Sequence, residues 1–199
     1  MNLCIDLDGV IYNWNAAYAK ALIKTSGEDK FPDGWQNDTA ILAPVWDWDT
    51  YHGYTMEQQV KAWEECIFPA KCKFWQKLEL MPNAKAAIIR LEGLARTGHS
   101  CYFLTHRSGD NVKLQTEKAL YEAGITYPTV LLCQAEDKPY VVKALRSNVF
   151  IDDKLDTIIA AMKLELPNVF LIDAPYNRLP HACKVVANVN EALDLAGIG

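Results

Sequence analysis

The sequence has no long apolar run and no excess of basic residues. No stretch approaches the roughly 20 apolar residues that a membrane-spanning helix requires, so we expect no membrane partner. Lys and Arg number 20 against 25 Asp and Glu, which gives a formal charge of -5. Non-specific binding to nucleic acid through a basic surface is therefore not expected. Asp6 and Asp8 also interrupt the place where the apolar core of a signal peptide would lie.

Paired cysteine motifs are absent as well. The six cysteines include no Cys-x-x-Cys pair. Three of them, Cys4, Cys101 and Cys133, fall inside predicted buried strands. We therefore expect reduced thiols in a cytoplasmic protein and no zinc site. The chain has 199 residues, of which 50% are hydrophobic, which is enough for one large domain or a core with a small insertion.

Two acidic residues follow the first apolar segment. Residues 3–5 predict a buried strand, and Asp6, Asp8 and Gly9 come directly after it. Side chains two apart in a strand share a face, where two carboxylates repel each other and resist burial. A divalent cation such as Mg²⁺, which prefers oxygen ligands, would make the pair favourable. The alternative is a solvated turn after an edge strand.

After Pro82, predicted helices and strands alternate regularly. The expected strands are residues 100–104, 130–133, 148–151, 169–172 and, as one more candidate, 185–189. The expected helices are residues 84–95, a helix from Asp110 to Gly124, a helix that Asp137 opens, and a further helix that ends at Glu165. Such alternation predicts an α/β fold, a Rossmann-like parallel sheet core flanked by helices.

The segment from 14 to 78 has a different character, and we expect it to be a small, mainly helical cap inserted after the first strand, with the core formed by 1–13 and 79–199. Asn13 or Asn15 is expected to cap its first helix, and Thr55 with Gln58 forms a capping-box pattern. Aromatic faces stack on nucleobases at about 1–3 kcal/mol per base. The candidates for such stacking are Trp14, Trp46, Trp48 and Trp63. The alternative is that these rings form the core of the insertion.

Polar residues follow the ends of the predicted core strands. Thr105 comes after one strand and Asp152 with Asp153 after another, while Lys138 opens a helix. In open α/β sheets, ligands bind beyond the carboxyl ends of the strands. Each residue alone has a simpler reading: Thr105 and Asp153 as helix caps, and Lys138 as a solvated residue. Together they favour phosphoryl transfer.

An aspartate can act as nucleophile toward phosphorus, provided that a metal ion offsets the charge of the phosphoryl oxygens. Asp6 and the Asp152–Asp153 pair are the expected Mg²⁺ ligands. Thr105 and Lys138 would bind the remaining phosphoryl oxygens. Asp8 would protonate the leaving alkoxide and then activate water.

The chain resembles the haloacid dehalogenase superfamily in four ordered motifs: Asp6-Leu7-Asp8-Gly9-Val10, Leu104-Thr105, Lys138 and Ile151-Asp152-Asp153. Asp8 resembles the second aspartate of its phosphatase branch. The resemblance implies that Asp6 is the nucleophile and Asp8 the acid/base. It also implies that Mg²⁺ is held by Asp6, the Asp8 carbonyl and the acidic pair, with Asp153 favoured as the direct ligand.

Within the superfamily the sequence is most similar to the 5'(3')-deoxyribonucleotidases. The similarity includes Trp14 eight residues after the nucleophile, Trp63-Glu64, and the run from Phe74 to Ala84. The chain departs from them at His106, where serine is usual, and at Lys154, where arginine is frequent. The segment from Lys138 to Asp152 is also longer, and Lys143 competes with Lys138 for the phosphate-binding role.

The expected function is a Mg²⁺-dependent phosphomonoesterase that hydrolyses nucleoside monophosphates, with 5'-deoxyribonucleotides favoured. Phosphate is expected to contact Thr105, His106 and Lys138, and the rest of the substrate Arg107 and the tryptophans. A polynucleotide 3'-phosphatase is the alternative enzyme, supported by Thr105-His106-Arg107 followed by Thr116. A catalytically silent nucleotide-binding module is the alternative outside enzymes. The expected partner is a small phosphomonoester, and the sequence leaves open whether the chain forms a homodimer.

Overall fold

A computed structural model describes residues 1–37, 42, 48–177 and 181–198. Six strands form one parallel sheet in the order β3-β2-β1-β4-β5-β6. Their bounds are β1 Asn2–Asp6, β2 Ser100–Thr105, β3 Thr129–Leu132, β4 Val149–Asp152, β5 Val169–Ile172 and β6 Lys184–Val186. The prediction of a parallel α/β sheet is confirmed. The first strand is central, between β2 and β4.

Helices cover the sheet, because apolar strands of a parallel sheet must be shielded from water on both faces. Every residue of β4 and β5 is buried, as expected for parallel strands covered on both faces. The helices that follow the insertion are α4 Ala84–Arg96, α5 Val112–Ala123, α6 Lys138–Ala144, α7 Leu155–Lys163 and α8 Val189–Leu195. Several boundaries differ from expectation, for example that of α7, which ends at Lys163 rather than Glu165. Asn111, with φ 54°, precedes α5 in place of an Asp110 cap, and β6 ends at Val186 because Asn188 caps α8.

In its described part, the segment 14–78, which we call the insertion, contains three α-helices, α1 Trp14–Ser26, α2 Trp48–His52 and α3 Met56–Ala62, followed by a π-helical turn, Trp63–Ile67, and a 3₁₀ turn, Ala70–Cys72. The Asn13 side chain accepts from the Ala16 amide at 3.1 Å and so caps α1. Both hydrogen bonds of the capping box between Thr55 and Gln58 are present, as expected. The α1 helix packs against α3 and the π-helical turn.

The two ends of the insertion lie side by side at the carboxyl end of β1. Tyr12 forms an isolated antiparallel bridge with Leu80. The amide of Asn13 donates to the Glu79 carbonyl at 2.8 Å, and that of Met81 donates to Ile11 at 2.8 Å. The insertion therefore leaves and rejoins the core at one place, directly beside the residues that follow β1.

The six cysteines are free thiols in the structure. Burial raises the pKa of the Cys4 and Cys101 thiols to about 11, so neither is a reactive thiolate at neutral pH. Within the described ranges, no helix combines the length and the apolarity needed to cross a bilayer.

Candidate active site

Three carboxylates meet at the carboxyl edge of the sheet. Asp6 is the last residue of β1, Asp152 is the last residue of its neighbour β4, and Asp153 follows. One carboxylate oxygen from each lies within 4.8 Å of the others, and all three residues are buried. The parallel register of the two strands produces this cluster, as the sequence predicted.

A buried lysine is the counter-charge of this cluster. Lys138 begins α6, and its Nζ donates to the Asp6 carboxylate and, at 2.9 Å, to Oδ2 of Asp152. Burial disfavours the ammonium, but the carboxylates of Asp152 and Asp6 outweigh this effect and raise the pKa of Lys138 above its usual value. Lys143 is exposed in the last turn of α6, so the lysine that reaches the cluster is Lys138.

One ammonium does not balance three buried carboxylates. Burial raises the pKa of Asp6 well above its usual value, although the charge of Lys138 opposes this. Burial, with the adjacent Asp152, raises the pKa of Asp153 to about 7. A divalent cation would relieve this crowding of negative charge, and an all-oxygen donor set is the kind that Mg²⁺ prefers. The residues present therefore fit Mg²⁺.

Gly9 leaves room for the Asp153 side chain because it has no Cβ atom. Its φ is +82°, and a Cβ atom there would lie 2.2 Å from Oδ2 of Asp153 and 2.8 Å from Oη of Tyr176. The Tyr176 hydroxyl donates to the Asp153 carboxylate, and the Asn177 side-chain amide donates to the Asp153 carbonyl. Sequence reasoning missed Tyr176 and Asn177. Their position just after β5, at the same sheet edge, was the available signal.

Asp8 turns away from the acidic cluster toward Arg107. The guanidinium donates twice to this carboxylate, Nε to Oδ2 at 2.9 Å and Nη2 to Oδ1 at 2.7 Å. The Thr105 hydroxyl donates to Oδ2 at 3.2 Å. The side chain of Asp8 is 22% exposed, whereas that of Arg107 is 0% exposed. The two aspartates of the first motif thus have different surroundings, and the expected contact of the Asp8 carbonyl with Mg²⁺ remains a prediction.

Arg107 lies beneath the site rather than in its opening. Its guanidinium carbon is 4.9 Å from the ring centre of Trp75 and 5.4 Å from that of Tyr12, and Nη1 donates to the Thr116 hydroxyl at 3.0 Å. We expected Arg107 to contact the substrate. In the structure its donors are directed at Asp8 and Thr116, so its place is that of a support for Asp8.

A cleft of about 240 Å³ opens above these residues. Its walls include the acids, Thr105, Lys138, the indoles of Trp14, Trp63 and Trp75, and the side chains of His106, Ser108 and Lys154. Trp14 and Trp63 are half-buried, while His106 and Lys154 are exposed. Two of the four tryptophans suggested by the sequence, Trp14 and Trp63, therefore line the cleft, together with Trp75, Ser108 and Lys154, which the sequence did not assign to the site.

Trp48 does not line this cleft. It is 4% exposed and packs edge-on against Phe31 and Tyr18, with ring centres 5.8 and 5.1 Å away. Its ring is part of the insertion's core, because the apolar faces of the short insertion helices bury it. Trp46, the other tryptophan of that pair, lies outside the described residues.

A larger groove of about 540 Å³ lies between α1 and residues 66–79. Its lining contains lysines and a single carboxylate, that of Glu79, which forms an ion pair with Lys20 at 2.6 Å. The smaller cleft brings together the carboxylates, the buried lysine and the hydroxyl, so its chemistry makes it the candidate active site.

The chain is similar in fold to several solved structures. The chain is similar to a haloacid dehalogenase-like hydrolase from Streptococcus pneumoniae, at 13% identity and a TM-score of 0.60 over 98% of this chain and 97% of that one. YfnB from Bacillus subtilis, described as a HAD hydrolase bound to magnesium, aligns at 15% identity and a TM-score of 0.58 over 99% and 98%. CbbY from Rhodobacter sphaeroides, in complex with phosphate, aligns at 15% identity and a TM-score of 0.51 over 94% of this chain and 93% of that one.

No protein-family model matches the chain, and no curated protein matches its sequence. The structural likeness at these low identities concerns the course of the backbone, which extends over nearly the full length of both chains. The described chain therefore has the fold of the haloacid dehalogenase-like hydrolases.

Proposed function

We propose that the protein is a Mg²⁺-dependent phosphomonoesterase that hydrolyses nucleoside monophosphates, with deoxyribonucleotides as the favoured substrates. The observation that carries the proposal is the contrast between Asp6 and Asp8. Asp6 is buried beside Lys138 and the acidic pair, whereas Asp8 is held by Arg107 and Thr105 and reaches the cleft. Two carboxylates in different surroundings can take different roles in one reaction.

Asp6 is the proposed nucleophile. A carboxylate oxygen of Asp6 attacks phosphorus, the bond from phosphorus to the ester oxygen breaks, and an aspartyl phosphate forms. Its place at the end of β1, fixed by backbone pairing to both β2 and β4, holds the attacking oxygen on a rigid element. Asp152, by contrast, accepts hydrogen bonds at both oxygens, from Lys138 and from the Lys154 amide, so it is less suited to attack.

The neighbours of Asp6 bind the phosphoryl group. Asp6, Asp152 and Asp153 would hold Mg²⁺, which supplies positive charge against the phosphoryl oxygens when bound. The ammonium of Lys138 lines the cleft and is placed to donate to those oxygens, whereas the Thr105 hydroxyl, which donates to Asp8 in the structure, would have to turn from that carboxylate to do the same. Because Lys138 is already bound to Asp6, its positive charge reduces the repulsion between the Asp6 carboxylate and the approaching phosphate.

Asp8 is the proposed acid and base. In the first half of the reaction it gives a proton to the leaving alkoxide oxygen. In the second half it takes a proton from water, whose oxygen attacks the phosphorus of the aspartyl phosphate and releases phosphate and free Asp6. The paired hydrogen bonds from Arg107 fix the direction of the Asp8 carboxylate throughout.

The cleft supports a nucleotide as substrate. Trp14 and Trp63 provide indole surface a short distance from the catalytic acids, and base–aromatic stacking is worth about 1–3 kcal/mol per base. A volume of about 240 Å³, walled on one side by the insertion, suits a monomer better than a polymer. The formal charge of -5 also disfavours a polynucleotide substrate.

A phosphate-release screen over common nucleoside mono-, di- and triphosphates, with a 3'-phosphorylated oligonucleotide as a further arm, tests the proposal. We expect Mg²⁺-dependent release from deoxynucleoside monophosphates and little from the oligonucleotide. Asp6→Asn should abolish turnover while the circular dichroism spectrum stays unchanged, because no other carboxylate is placed for the attack. Nucleotide binding without any release would favour a silent binding module, and near-normal turnover by folded Asp6→Asn would contradict the mechanism.

A further inference from the structure

Arg107 is a fully buried cation whose contacts come from both the core and the insertion. Its side chain is 0% exposed. Three of its nitrogens donate hydrogen bonds, two to Asp8 and one to Thr116. The ring of Tyr12, from the core side, lies 5.4 Å from the guanidinium carbon, and the ring of Trp75, from the insertion side, lies 4.9 Å away. Aromatic rings near a desolvated guanidinium stabilise it and limit its movement.

Trp75 is itself firmly held against the loop that carries Arg107. It is 1% exposed. Its Nε1 donates to the Ser108 carbonyl at 2.9 Å, and its backbone amide donates to Oε1 of Gln115 at 3.2 Å. The other end of the Gln115 amide donates to the Asp110 carbonyl at 2.8 Å. The indole therefore cannot shift without disturbing residues on both sides of the guanidinium.

The backbone next to Trp75 is attached to the same loop. The Asp110 amide donates to the Phe68 carbonyl at 2.8 Å. Gly109 has φ +117°, and a Cβ atom there would lie 2.9 Å from the Cα of Phe68. This close approach of two backbones fixes the segment from Phe68 to Trp75 on the core, so the position of the indole relative to Arg107 is set by main-chain contacts as well as by its ring.

We propose that Trp75 is a positioning residue for proton transfer: by holding Arg107 in place it holds the Asp8 carboxyl toward the leaving-group oxygen. The insertion then contributes to the chemical step and not only to the choice of substrate. This inference rests on the proposed function, because it requires Asp8 to act as the acid. It concerns a residue that touches Arg107 rather than the phosphate.

The positioning role of Trp75 predicts different rate losses for two aryl phosphates. A weakly basic leaving group such as 2,4-dinitrophenolate departs without a proton, whereas phenolate depends on one. A variant that disorders the Asp8 carboxyl should therefore lose activity on phenyl phosphate and retain most of it on 2,4-dinitrophenyl phosphate. Both leaving groups are single aromatic rings, so a change in ring contacts with the cleft walls affects the two substrates alike.

The experiment measures kcat/KM for both esters with Mg²⁺ present, using wild type, Trp75→Leu, Trp75→Phe and Thr116→Val. We expect Trp75→Leu to lower kcat/KM roughly tenfold or more on phenyl phosphate and less than about threefold on the dinitrophenyl ester. The larger loss is a part of the roughly 10²–10⁴-fold rate increase that acid–base catalysis supplies. Trp75→Phe keeps a ring over the guanidinium and should recover much of the loss. Thr116→Val removes one Arg107 contact and should show the same selectivity in milder form.

Trp35→Leu is the matched control. Trp35 is 3% exposed, packs on Phe31 within the insertion and donates from Nε1 to the Asp29 carboxylate, contacts that do not involve Arg107. It should lower the melting temperature and leave the ratio of the two substrates unchanged. If Trp75→Leu does not fold, Trp75→Phe and Thr116→Val carry the test, and an unchanged ratio in Thr116→Val would overturn the proposal.

Asp8→Asn distinguishes the acid role of Asp8 from the positioning role of Trp75. If folded Asp8→Asn lacks the selective loss on phenyl phosphate, the acid role itself fails, and with it the mechanism proposed above. If Asp8→Asn shows the selective loss but folded Trp75→Leu loses equally on both esters, or loses nothing, only the positioning role of Trp75 is overturned.

Discussion

Asp8 and Arg107 are joined by two parallel hydrogen bonds of 2.9 and 2.7 Å, and the arginine of this pair is completely buried. A guanidinium is always charged, so its burial is favourable only because the carboxylate and the surrounding rings compensate it. The pair therefore also has a geometric effect. It fixes the carboxylate of Asp8 beside the acidic cluster of Asp6, Asp152 and Asp153, whose cationic partner is Lys138 rather than Arg107.

Metal binding should stabilise the protein as well as activate it. We expect Mg²⁺ to bind the folded cluster and offset its negative charge, so added Mg²⁺ should raise the melting temperature and make it depend on the ion concentration. Asp153→Asn removes one ligand and should weaken this effect. Isothermal titration with Mg²⁺ and activity after EDTA treatment provide the measurements. Full activity after exhaustive chelation would rule out the metal role.

Gly9→Ala should abolish the proposed phosphatase activity. The new methyl group would lie 2.2 Å from Oδ2 of Asp153, so the carboxylate and Tyr176 must both move. Gly34→Ala is a close control, because Gly34 has almost the same φ, +83°, but no atom within 4 Å of the added Cβ.

Both glycine variants should lose about 1 kcal/mol of stability from the positive φ. Only Gly9→Ala should also lose at least tenfold in kcat and bind Mg²⁺ more weakly. Activity assays and chemical denaturation of the two proteins in parallel make the comparison. Equal kcat values for the two variants would show that the packing of Gly9 against Asp153 has no role in catalysis.

Trp63→Leu should affect nucleotides selectively. If the indole stacks on a base, kcat/KM for deoxynucleoside monophosphates should fall by the equivalent of about 1–3 kcal/mol, and that for p-nitrophenyl phosphate should fall less. Trp48→Leu serves as the control, since Trp48 is buried in the insertion and does not line the cleft. It should lower the melting temperature and change both substrates equally. The same behaviour from Trp63→Leu would leave the nucleotide assignment without its physical support.

A pH dependence of stability is expected away from the active site. Hydrogen bonds from the side chain and backbone of Thr126, and then from Arg96, lower the pKa of Glu92 from 4.5 to about 2. Since the folded pKa is the lower one, these bonds stabilise the protein fully above the unfolded value, and the contribution disappears as the pH falls through the folded value.

The difference in free energy of unfolding between wild type and Glu92→Gln should therefore be constant near neutral pH. It should shrink between about pH 4.5 and pH 2, the two values that bound the shift. Urea denaturation at a series of pH values measures it, with Glu136→Gln, at an exposed position, as reference. A difference that stays constant down to the lowest pH at which the protein remains folded would contradict the assignment.

The sheet and the acidic cluster could be predicted because both follow from backbone regularity. Apolar strands separated by helices imply a parallel sheet, and residues at the ends of adjacent parallel strands must meet, which brings Asp6 beside Asp152. Lys138 was predictable for the same reason, since its helix starts at that edge.

Side-chain partners in loops could not be predicted in the same way. Arg107 follows β2, but whether its side chain enters the cleft or turns beneath it depends on Thr116 in the next helix and on Trp75, which is distant in sequence. Trp48 and Trp63 are equally aromatic, and only the packing of the short insertion helices buries one and leaves the other at the cleft. Tyr176 reaches Asp153 from a turn that has no sequence periodicity.

The meeting of Tyr12 and Leu80 has a consequence for how such a protein could be remodelled in evolution. Since the insertion leaves and rejoins the core at one point, helices of other lengths could replace it without breaking the sheet. The segment from Phe68 to Trp75 is bound to the loop around Arg107, however, so it would have to be inherited together with the core. The exchangeable module would then end at the π-helical turn, and a chimera that grafts foreign helices should place its junction before Phe68.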